Sequence, residues 1–344
     1  MEEGDYNFDL ATVLPETFTN RSYKYYDNDG FPYEYDFDAY SSFDYPIPLK
    51  SLPGCEIALK IAVTVIIMLF ALAGNILVIV VVFLNNRLKT TTNFYLVNLA
   101  VADILVTASC TWVLLVGNLS EGWVLGSFFC KFNSFAQVVA LVSSILSMTL
   151  ISIDRFFGIV YALKAHIIER KARCCIIMVW VCAILAGIPQ LIYRKVYVRQ
   201  WKNHLELWCD EDWVYPMTSR VTYWTTISVI TFFIPSLVML FMYGCIIRTL
   251  WGTRAPGERA KENKILNKKI TRKVIVMLVT IVAIFWLCWA PVQFSILYSE
   301  HRPNKSEIIG NWYVTFNFYA YALAFSNSAV NPIIYASFSH SFRQ

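Results

Sequence analysis

Seven long apolar stretches restrict what this chain can fold into. They cover residues 56–84, 93–116, 130–160, 173–193, 218–248, 271–298 and 312–335. As a helix, each is long enough to cross the roughly 30 Å hydrocarbon core of a bilayer. A backbone in lipid must satisfy its own hydrogen bonds, and a helix does so within a single segment. The pattern therefore predicts an all-α membrane protein, a bundle of seven transmembrane helices.

The composition agrees with a surface that faces lipid. Only 15% of the 344 residues are charged and 57% are apolar, whereas soluble domains are about 25% charged. The apolar mass leaves no room for a soluble catalytic domain. No Ser/His, His-Glu or paired-aspartate constellation spans two helices, so we expect no enzyme. We likewise expect no metal site and no nucleic-acid partner.

The distribution of charge sets the orientation. Residues 1–50 carry eleven acidic and three basic residues, a net charge of −8, whereas the loops after the first, third and fifth helices are basic. By the positive-inside rule those loops are cytoplasmic, so the amino terminus is extracellular and the carboxyl terminus cytoplasmic. We find no cleavable signal peptide and expect the first helix to act as the insertion signal.

Residues 1–54 form the predicted extracellular tail, which is acidic, rich in tyrosine and expected to lack order. Tyrosines among acidic residues are typical of sulfation sites, and the candidates are Tyr33, Tyr35, Tyr40 and Tyr45. Sulfate would add charge that attracts a basic ligand. The alternative is a tail that only solubilises the protein. Asn20 begins an Asn-Arg-Ser glycosylation sequon.

Three of the nine cysteines, Cys55, Cys130 and Cys209, lie in or beside extracellular segments. Disulfides persist in that compartment. We predict a bridge between Cys130, at the start of the third helix, and Cys209, in the loop between the fourth and fifth helices. The bridge would hold this loop over the helix bundle. The alternative is that both are free buried thiols, the role expected of the other cysteines.

Polar residues inside the apolar stretches are the most informative part of the sequence, because an ionisable group at membrane depth is costly. The second helix contains "NLAVADILV", the third "SIDRFFGIV", the sixth "FWLCWAP" and the seventh "NSAVNPIIYASF". The last motif places Asn331 before a proline that breaks the helical hydrogen-bond ladder. In this order, on seven helices, the motifs make residues 55–344 resemble the rhodopsin-like (class A) G-protein-coupled receptors.

The resemblance implies a domain organisation and partners. Residues 55–335 would form the receptor domain and residues 336–344 the start of a cytoplasmic amphipathic helix. Such a receptor lies in the plasma membrane among lipid and cholesterol. It activates heterotrimeric G proteins, here expected to be of the Gq or Gi class, and arrestin is a further expected partner.

The resemblance also implies an activation switch. Its members would be Asp154, Arg155, Tyr243, Phe285, Trp289, Pro291, Pro332 and Tyr335. Arg155 would leave Asp154 on activation, while the two prolines allow helices six and seven to bend. The family's Asp-Arg-Tyr triplet reads Asp-Arg-Phe here, and the following loop lacks the usual proline, so coupling strength is an open question.

A second implied feature is a polar cluster that binds sodium in the family and favours the inactive state. Its members would be Asp103, Ser144, Asn327 and Asn331. Ala140 stands where the family often has an asparagine, so we expect weak sodium binding and no other cofactor. The alternative is that these groups only hold the helices together.

The expected ligand site lies in the outer half of the bundle. Gln137 occupies the position at which amine receptors of the family carry an aspartate, which disfavours a biogenic amine. Gln137, Gln293 and Tyr321 would form a neutral floor above Trp289, a pattern similar to receptors for amidated neuropeptides. Glu300 and Glu211 at the mouth would suit a ligand arginine. The alternative is that both carboxylates are only solvated.

Short sequence motifs narrow the resemblance to particular groups within the family. The stretches "SEGWVLGSFFCK", "RKVIVMLVTIVAIFWLCWAP" and "FSNSAVNPIIYASF" are similar to receptors for pyroglutamylated RFamide, orexin and cholecystokinin peptides. A chemokine-type receptor with a sulfated tail is an alternative, suggested by "GIVYALKA". It is disfavoured because the second helix lacks Thr-x-Pro and residues 299–311 lack a cysteine to pair with Cys55. A transporter is a further alternative, but the chain shows no internal repeat.

Overall fold

The structure, a computed structural model, describes residues 23–26, 32–35, 41–45, 52–161, 172–213, 216–252, 258–302 and 311–338. These residues form seven long helices. Uninterrupted helices are α1 (Gly54–Leu84), α3 (Gly126–Val160), α4 (Ala172–Tyr193), α6 (Glu258–His301) and α7 (Asn311–Phe338). A 3-10 turn, Asn86–Leu88, follows α1.

Two helices contain a π-helical turn. Helix α2 runs through Thr91–Val106, the π turn Thr107–Thr111 and Trp112–Leu119. Helix α5 runs through Pro216–Ser228, the π turn Val229–Phe233 and Ile234–Gly252. Each of the seven predicted apolar stretches lies within one of the seven helices, so the predicted fold class is confirmed.

Six of the described helices are, by length and composition, apolar enough to cross a membrane. Helix α7 is also long, at 28 residues, but it contains asparagines at positions 311, 317, 327 and 331. These residues lower its mean hydropathy. Two of these four asparagines, Asn327 and Asn331, belong to the predicted polar cluster.

Helix α3 lies at the centre of the bundle. Of its most apolar window, 72% is buried, against 28% for α1. Large apolar side chains of the outer helices are exposed, for example Leu69 and Phe70 in α1, Leu185 in α4 and Leu287 in α6. Such an apolar exterior suits a lipid surface and would be a liability in water.

A β-hairpin lies on the extracellular side between α4 and α5. Its strands, the third and fourth of the chain, are β3 (Arg194–Gln200) and β4 (Leu205–Glu211), which pair antiparallel. Cys209 of β4 is disulfide-bonded to Cys130 of α3, with 5.7 Å between the Cα atoms. The predicted bridge is therefore present and fixes the hairpin over the bundle.

The loop before α3 packs against the same hairpin. The Trp123 amide donates to the Leu207 carbonyl oxygen at 2.8 Å. A Cβ atom on Gly122 would lie 2.7 Å from that oxygen. A glycine is therefore required for the loop to approach β4 so closely.

Two strands, β1 (Tyr23–Tyr26) and β2 (Pro32–Tyr35), lie within the tail that was expected to lack order. They pair antiparallel, with Tyr23 opposite Tyr35. Tyrosine has a high strand propensity, which favours this pairing over the charge-based expectation. The sulfation candidates Tyr33 and Tyr35 lie in β2. Asn20, Tyr40 and the last six residues of the predicted amphipathic helix, 339–344, lie outside the described residues.

Candidate functional site

A cavity of about 200 Å³ opens between α3, α5, α6, α7 and the β3–β4 hairpin. Five of the six predicted ligand-binding residues line it: Gln137, Glu211, Trp289, Glu300 and Tyr321. Gln293 is buried, at 3% exposure, but is not part of the cavity wall. Successive helical residues point about 100° apart, so Val292 takes the wall position that was predicted for Gln293.

Glu211 does not present a free carboxylate to the cavity. The indole N–H of Trp213 donates to its Oε2 at 2.7 Å, and that of Trp224 lies 3.1 Å from both oxygens. Arg194 and Arg220 approach it at 3.3 and 3.7 Å. Because these four donors surround a side chain that is 1% exposed, Glu211 organises the cavity wall. Its predicted role as the anchor of a ligand cation stays a prediction.

Glu300 is also paired inside the protein. The Arg220 Nε donates to Glu300 Oε1 at 2.9 Å, and Arg220 Nη1 donates to Asp210 Oδ1 at 3.0 Å. Arg220 thus joins α5, α6 and β4 at the cavity mouth. Arg220 was not predicted, although an arginine inside an apolar stretch is itself a signal for a functional residue.

Polar side chains of α6 and α7 form the opposite wall. Ser295 Oγ donates to the Tyr313 hydroxyl at 2.9 Å and also bonds Asn317 Oδ1. The Tyr313 hydroxyl donates to the Ser295 carbonyl oxygen at 3.0 Å. None of these three residues was predicted, and all of them line the cavity. They give a ligand both donors and acceptors on a wall between two helices.

Trp289 forms the floor of the cavity and is 4% exposed. Below it lies Phe285, whose ring centroid is 6.0 Å from that of Trp289, and Phe232 of α5 lies 6.0 Å from Phe285. The predicted pair Trp289 and Phe285 is thus in contact with α5. A shift of Trp289 is transmitted to this stack of rings because buried cores are close-packed.

The polar cluster lies deeper in the bundle. Asp103 of α2 accepts from Asn331 Nδ2 at 2.8 Å and from Ser328 Oγ at 2.9 Å. Ser144 and Asn327, the other predicted members, are buried. The described hydrogen bonds of Asp103 do not include them. Ser328 was missed, since a serine beside an asparagine carries little signal in a sequence.

Pro332 explains a second contact in this cluster. A proline lacks an N–H, so the carbonyl four residues earlier, that of Ser328, loses its helical donor. Asn75 of α1 donates to this carbonyl oxygen at 2.8 Å and to the Ala71 carbonyl oxygen at 2.8 Å. A Cβ atom on Gly74 would lie 2.8 Å from the Pro332 ring. The adjacent Gly74 and Asn75 therefore let α1 approach and complete the broken turn of α7.

At the cytoplasmic end, Arg155 and Asp154 are paired. Arg155 Nη2 lies 2.7 Å from Asp154 Oδ2, and Thr92 Oγ1 of α2 donates to the same oxygen at 2.6 Å. Ser152 Oγ donates to the Tyr243 hydroxyl at 2.8 Å, which joins α3 to α5. The structure therefore pairs the two residues that the predicted switch would separate; the switch itself stays a prediction. Thr92, which was not predicted, contacts the same pair.

The predicted tyrosine and prolines of the switch lie in α6 and α7. Tyr335 is buried at 1% exposure. Pro291 is inside α6 and Pro332 inside α7. Pro291 lies between the cavity-lining residues Trp289 and Val292, at the level of the cavity floor, whereas Pro332 interrupts α7 deeper in the bundle, beside the polar cluster.

The tail contacts the hairpin through Ser41–Tyr45, a contact that we call the tail clamp. The Lys202 amide donates to the Phe43 carbonyl oxygen at 3.0 Å, and the Tyr45 amide donates to Asn203 Oδ1 at 2.8 Å. The Tyr45 ring lies 4.5 Å from that of His204. The clamp thus ties the tail to the turn of the hairpin.

Tyr45 was also a sulfation candidate. Burial raises the pKa of its hydroxyl, and the carboxylates of Glu206 and Glu121 raise it further. Sulfation at Tyr45 stays a prediction.

Comparison with known proteins agrees with this arrangement. The sequence profile described as "7 transmembrane receptor (rhodopsin family)" matches residues 74–335. The mouse pyroglutamylated RF-amide peptide receptor is 33% identical over 86% of this chain and 71% of its own length. Rat neuropeptide FF receptor 2 is 32% identical over 81% of this chain and 69% of its own length.

A third relative is the tachykinin-like peptides receptor 86C of Drosophila melanogaster. It is 31% identical over 81% of this chain, and the match spans 56% of that receptor's length. The profile match begins within α1, ends within α7 and includes the Asp154–Arg155 pair, the polar cluster and the cavity wall. This chain therefore belongs to the rhodopsin family of seven-transmembrane receptors.

Proposed function

We propose that this chain is a receptor of the plasma membrane that binds an extracellular peptide and activates a heterotrimeric G protein. One observation carries the proposal. A cavity at the outer end and a closed Asp154–Arg155 pair at the inner end belong to the same helix, α3, since Gln137 of α3 lines the cavity. The relatives named above are receptors for neuropeptides, which disfavours the chemokine-type alternative.

The cavity supports a peptide whose amidated, cationic end enters the bundle. Gln137 and Tyr321 offer neutral hydrogen-bonding groups, and Trp289 offers an apolar surface for a terminal ring. A ligand guanidinium would meet Glu300 at the mouth. A charge-assisted hydrogen bond there contributes about 1.5–3 kcal/mol.

Ligand binding would shift the equilibrium between the closed and open switch only by its different affinity for the two forms. Opening separates Arg155 from Asp154 and moves the inner part of α6 outward about Pro291. Tyr243 and Tyr335 then turn towards Arg155. A weakly bound sodium ion beside Asp103 would favour the closed form.

The direct test is nucleotide exchange on a purified G protein with the reconstituted receptor. Screening a peptide library with calcium and cyclic AMP readouts supplies the agonist and distinguishes the Gq and Gi classes. Recruitment of labelled arrestin to the receptor in the presence of that agonist tests arrestin as a further partner.

Arg155→Ala should bind the identified agonist with unchanged affinity but lose exchange activity, because the open switch lacks its guanidinium. Arg199→Ala, which removes an arginine from the extracellular hairpin, is the matched control and should keep coupling. Full exchange activity in Arg155→Ala would show that the switch has been wrongly assigned.

A further inference from the structure

Three carboxylates converge on one guanidinium at the mouth of the cavity. Arg220 Nε lies 2.9 Å from Glu300 Oε1 and 3.7 Å from Glu211 Oε2, and Arg220 Nη1 lies 3.0 Å from Asp210 Oδ1. These partners come from α6 and β4, whereas Arg220 comes from α5. The contact is therefore made by the fold and not by neighbours in sequence.

The members of this cluster differ in their access to the cavity. The side chain of Glu300 is 4% exposed, whereas that of Arg220 is 32% exposed. A group that enters from outside thus meets Arg220 before it can reach Glu300. The guanidinium covers the carboxylate that the proposed ligand cation would use.

Arg220 can leave Glu300 without losing all of its partners. Its Nη1 is bonded to Asp210, whose side chain is 42% exposed and lies towards the solvent. A rotation that breaks the bond from Nε to Glu300 keeps this second ion pair. Removing one partner of a buried pair is costly when the other is left without compensation, and here Asp210 provides that compensation.

We infer that Arg220 is an internal competitor, occupying in the resting receptor the carboxylate subsite for the ligand's guanidinium, so that binding is an exchange of one guanidinium for another. The inference rests on the proposed function, because it assumes a cationic peptide. It assigns Arg220 a role in specificity: only a ligand cation able to replace its bonds to Glu300 gains affinity there. A neutral ligand leaves Arg220 in place.

The exchange has a measurable consequence. In wild-type receptor the ligand's new bond to Glu300 is offset by the lost bond from Arg220. In Arg220→Gln the competing guanidinium is absent. A charge-assisted hydrogen bond corresponds to roughly a 10- to 150-fold change in Kd, which is the expected gain in affinity.

The probes are arginyl-phenylalanine amide and its citrulline analogue, which keeps the shape but lacks the charge. Their Kd values would be measured on the purified full-length receptor by ligand-dependent thermal stabilisation. Arg220→Gln should bind the arginine probe at least tenfold more tightly than wild type and bind the citrulline probe equally. The double variant Arg220→Gln/Glu300→Gln should lose the gain.

Lys195→Gln is the matched control, because it removes the same charge from the hairpin at a side chain that pairs with Asp212. It should leave both Kd values unchanged. If Arg220→Gln is not recovered as folded protein, Arg220→Lys replaces it. Lysine lacks the planar fork that contacts several carboxylates, so the arginine probe should again bind several-fold more tightly.

The inference is overturned if removing Arg220 leaves the Kd of the arginine probe unchanged. It is also overturned if both probes gain equally, or if the gain persists without Glu300. These outcomes concern binding alone. Failure of the proposed function would appear separately, as an absence of G-protein exchange with every peptide of the library.

Discussion

At the scale of single residues, the carbonyl of Ser328 shows how a helix can contain a proline deep in a membrane. The missing donor is replaced by Asn75 from another helix, at 2.8 Å. Because no water is present in the bilayer core to solvate an unpaired carbonyl, this side chain has a structural task that its neighbours in α1 lack.

Asn75→Ala should therefore lower the free energy of unfolding by about 1–3 kcal/mol, the cost of a buried group left unsatisfied. Thermal unfolding in detergent measures the loss. In a Pro332→Ala background the new N–H of residue 332 can donate to Ser328, so Asn75→Ala should cost less there. Equal costs in both backgrounds would contradict the assignment of this bond.

Single residues can be singled out from the sequence where the signal is local, and not where it depends on contacts made by folding. The costly residues Asp103, Arg155 and Asn331 stand out from their apolar surroundings. Glu211 does not, because its partners Trp213, Trp224 and Arg194 are brought to it only by folding. Gln293 was predicted to line the cavity, but the neighbouring Val292 lines it instead. The rotation of a helix about its axis, which decides between the two, cannot be read from composition.

At the scale of elements, α2 supports the switch of α3. Thr92, at the start of α2, donates to the same Asp154 oxygen that receives Arg155. The hydroxyl fixes the carboxylate in the position at which it pairs with the guanidinium. The closed form thus depends on the packing of α2 against α3 as well as on the ion pair.

Thr92→Val keeps the shape of the side chain and removes the donor. Since one hydrogen bond contributes about 1 kcal/mol, the closed form should lose stability by about that amount and basal nucleotide exchange should rise roughly fivefold. Thr149→Val is the control, because Thr149 bonds a carbonyl of its own helix, that of Ile145. A basal rate unchanged by Thr92→Val would remove Thr92 from the switch.

Helix positions could be predicted almost completely, because the length of an apolar stretch is a property of the chain itself. The hairpin could not. Strands β3 and β4 carry mixed charged and aromatic residues, and their pairing depends on the disulfide to α3 and on the loop at Gly122. Both π-helical turns were likewise invisible to an analysis based on a 3.6-residue period.

At the scale of the whole molecule, the tail clamp joins an acidic extracellular tail to an apolar helix bundle. The clamp consists of two backbone donors and a contact between the tilted rings of Tyr45 and His204, so it orders Ser41–Tyr45 without an apolar core. The ion pair between Lys202 and Asp44 is 3.9 Å long and exposed. Such pairs contribute little, so the hydrogen bonds hold the clamp.

Hydrogen exchange on the intact receptor tests this. The amide of Tyr45 should exchange slowly in wild type and rapidly in Asn203→Ala, which removes its acceptor. Lys202→Ala should leave the protection unchanged, because the Lys202 amide that bonds Phe43 belongs to the backbone. Rapid exchange at Tyr45 in the wild-type receptor would show that the tail is not held there.

The distribution of prolines along the seven helices has a mechanical consequence. Helices α1, α2 and α3 contain none, whereas α4 to α7 contain Pro189, Pro235, Pro291 and Pro332 respectively in their interiors, and α5 also begins at Pro216. Helix α3, with 35 residues, is about 50 Å long at 1.5 Å per residue. It is therefore an unbroken rod that carries a ligand-facing glutamine near one end and the switch arginine near the other. The first three helices therefore form a rigid unit. A signal would be transmitted as a displacement of the last four helices, which can bend at their prolines, relative to that unit.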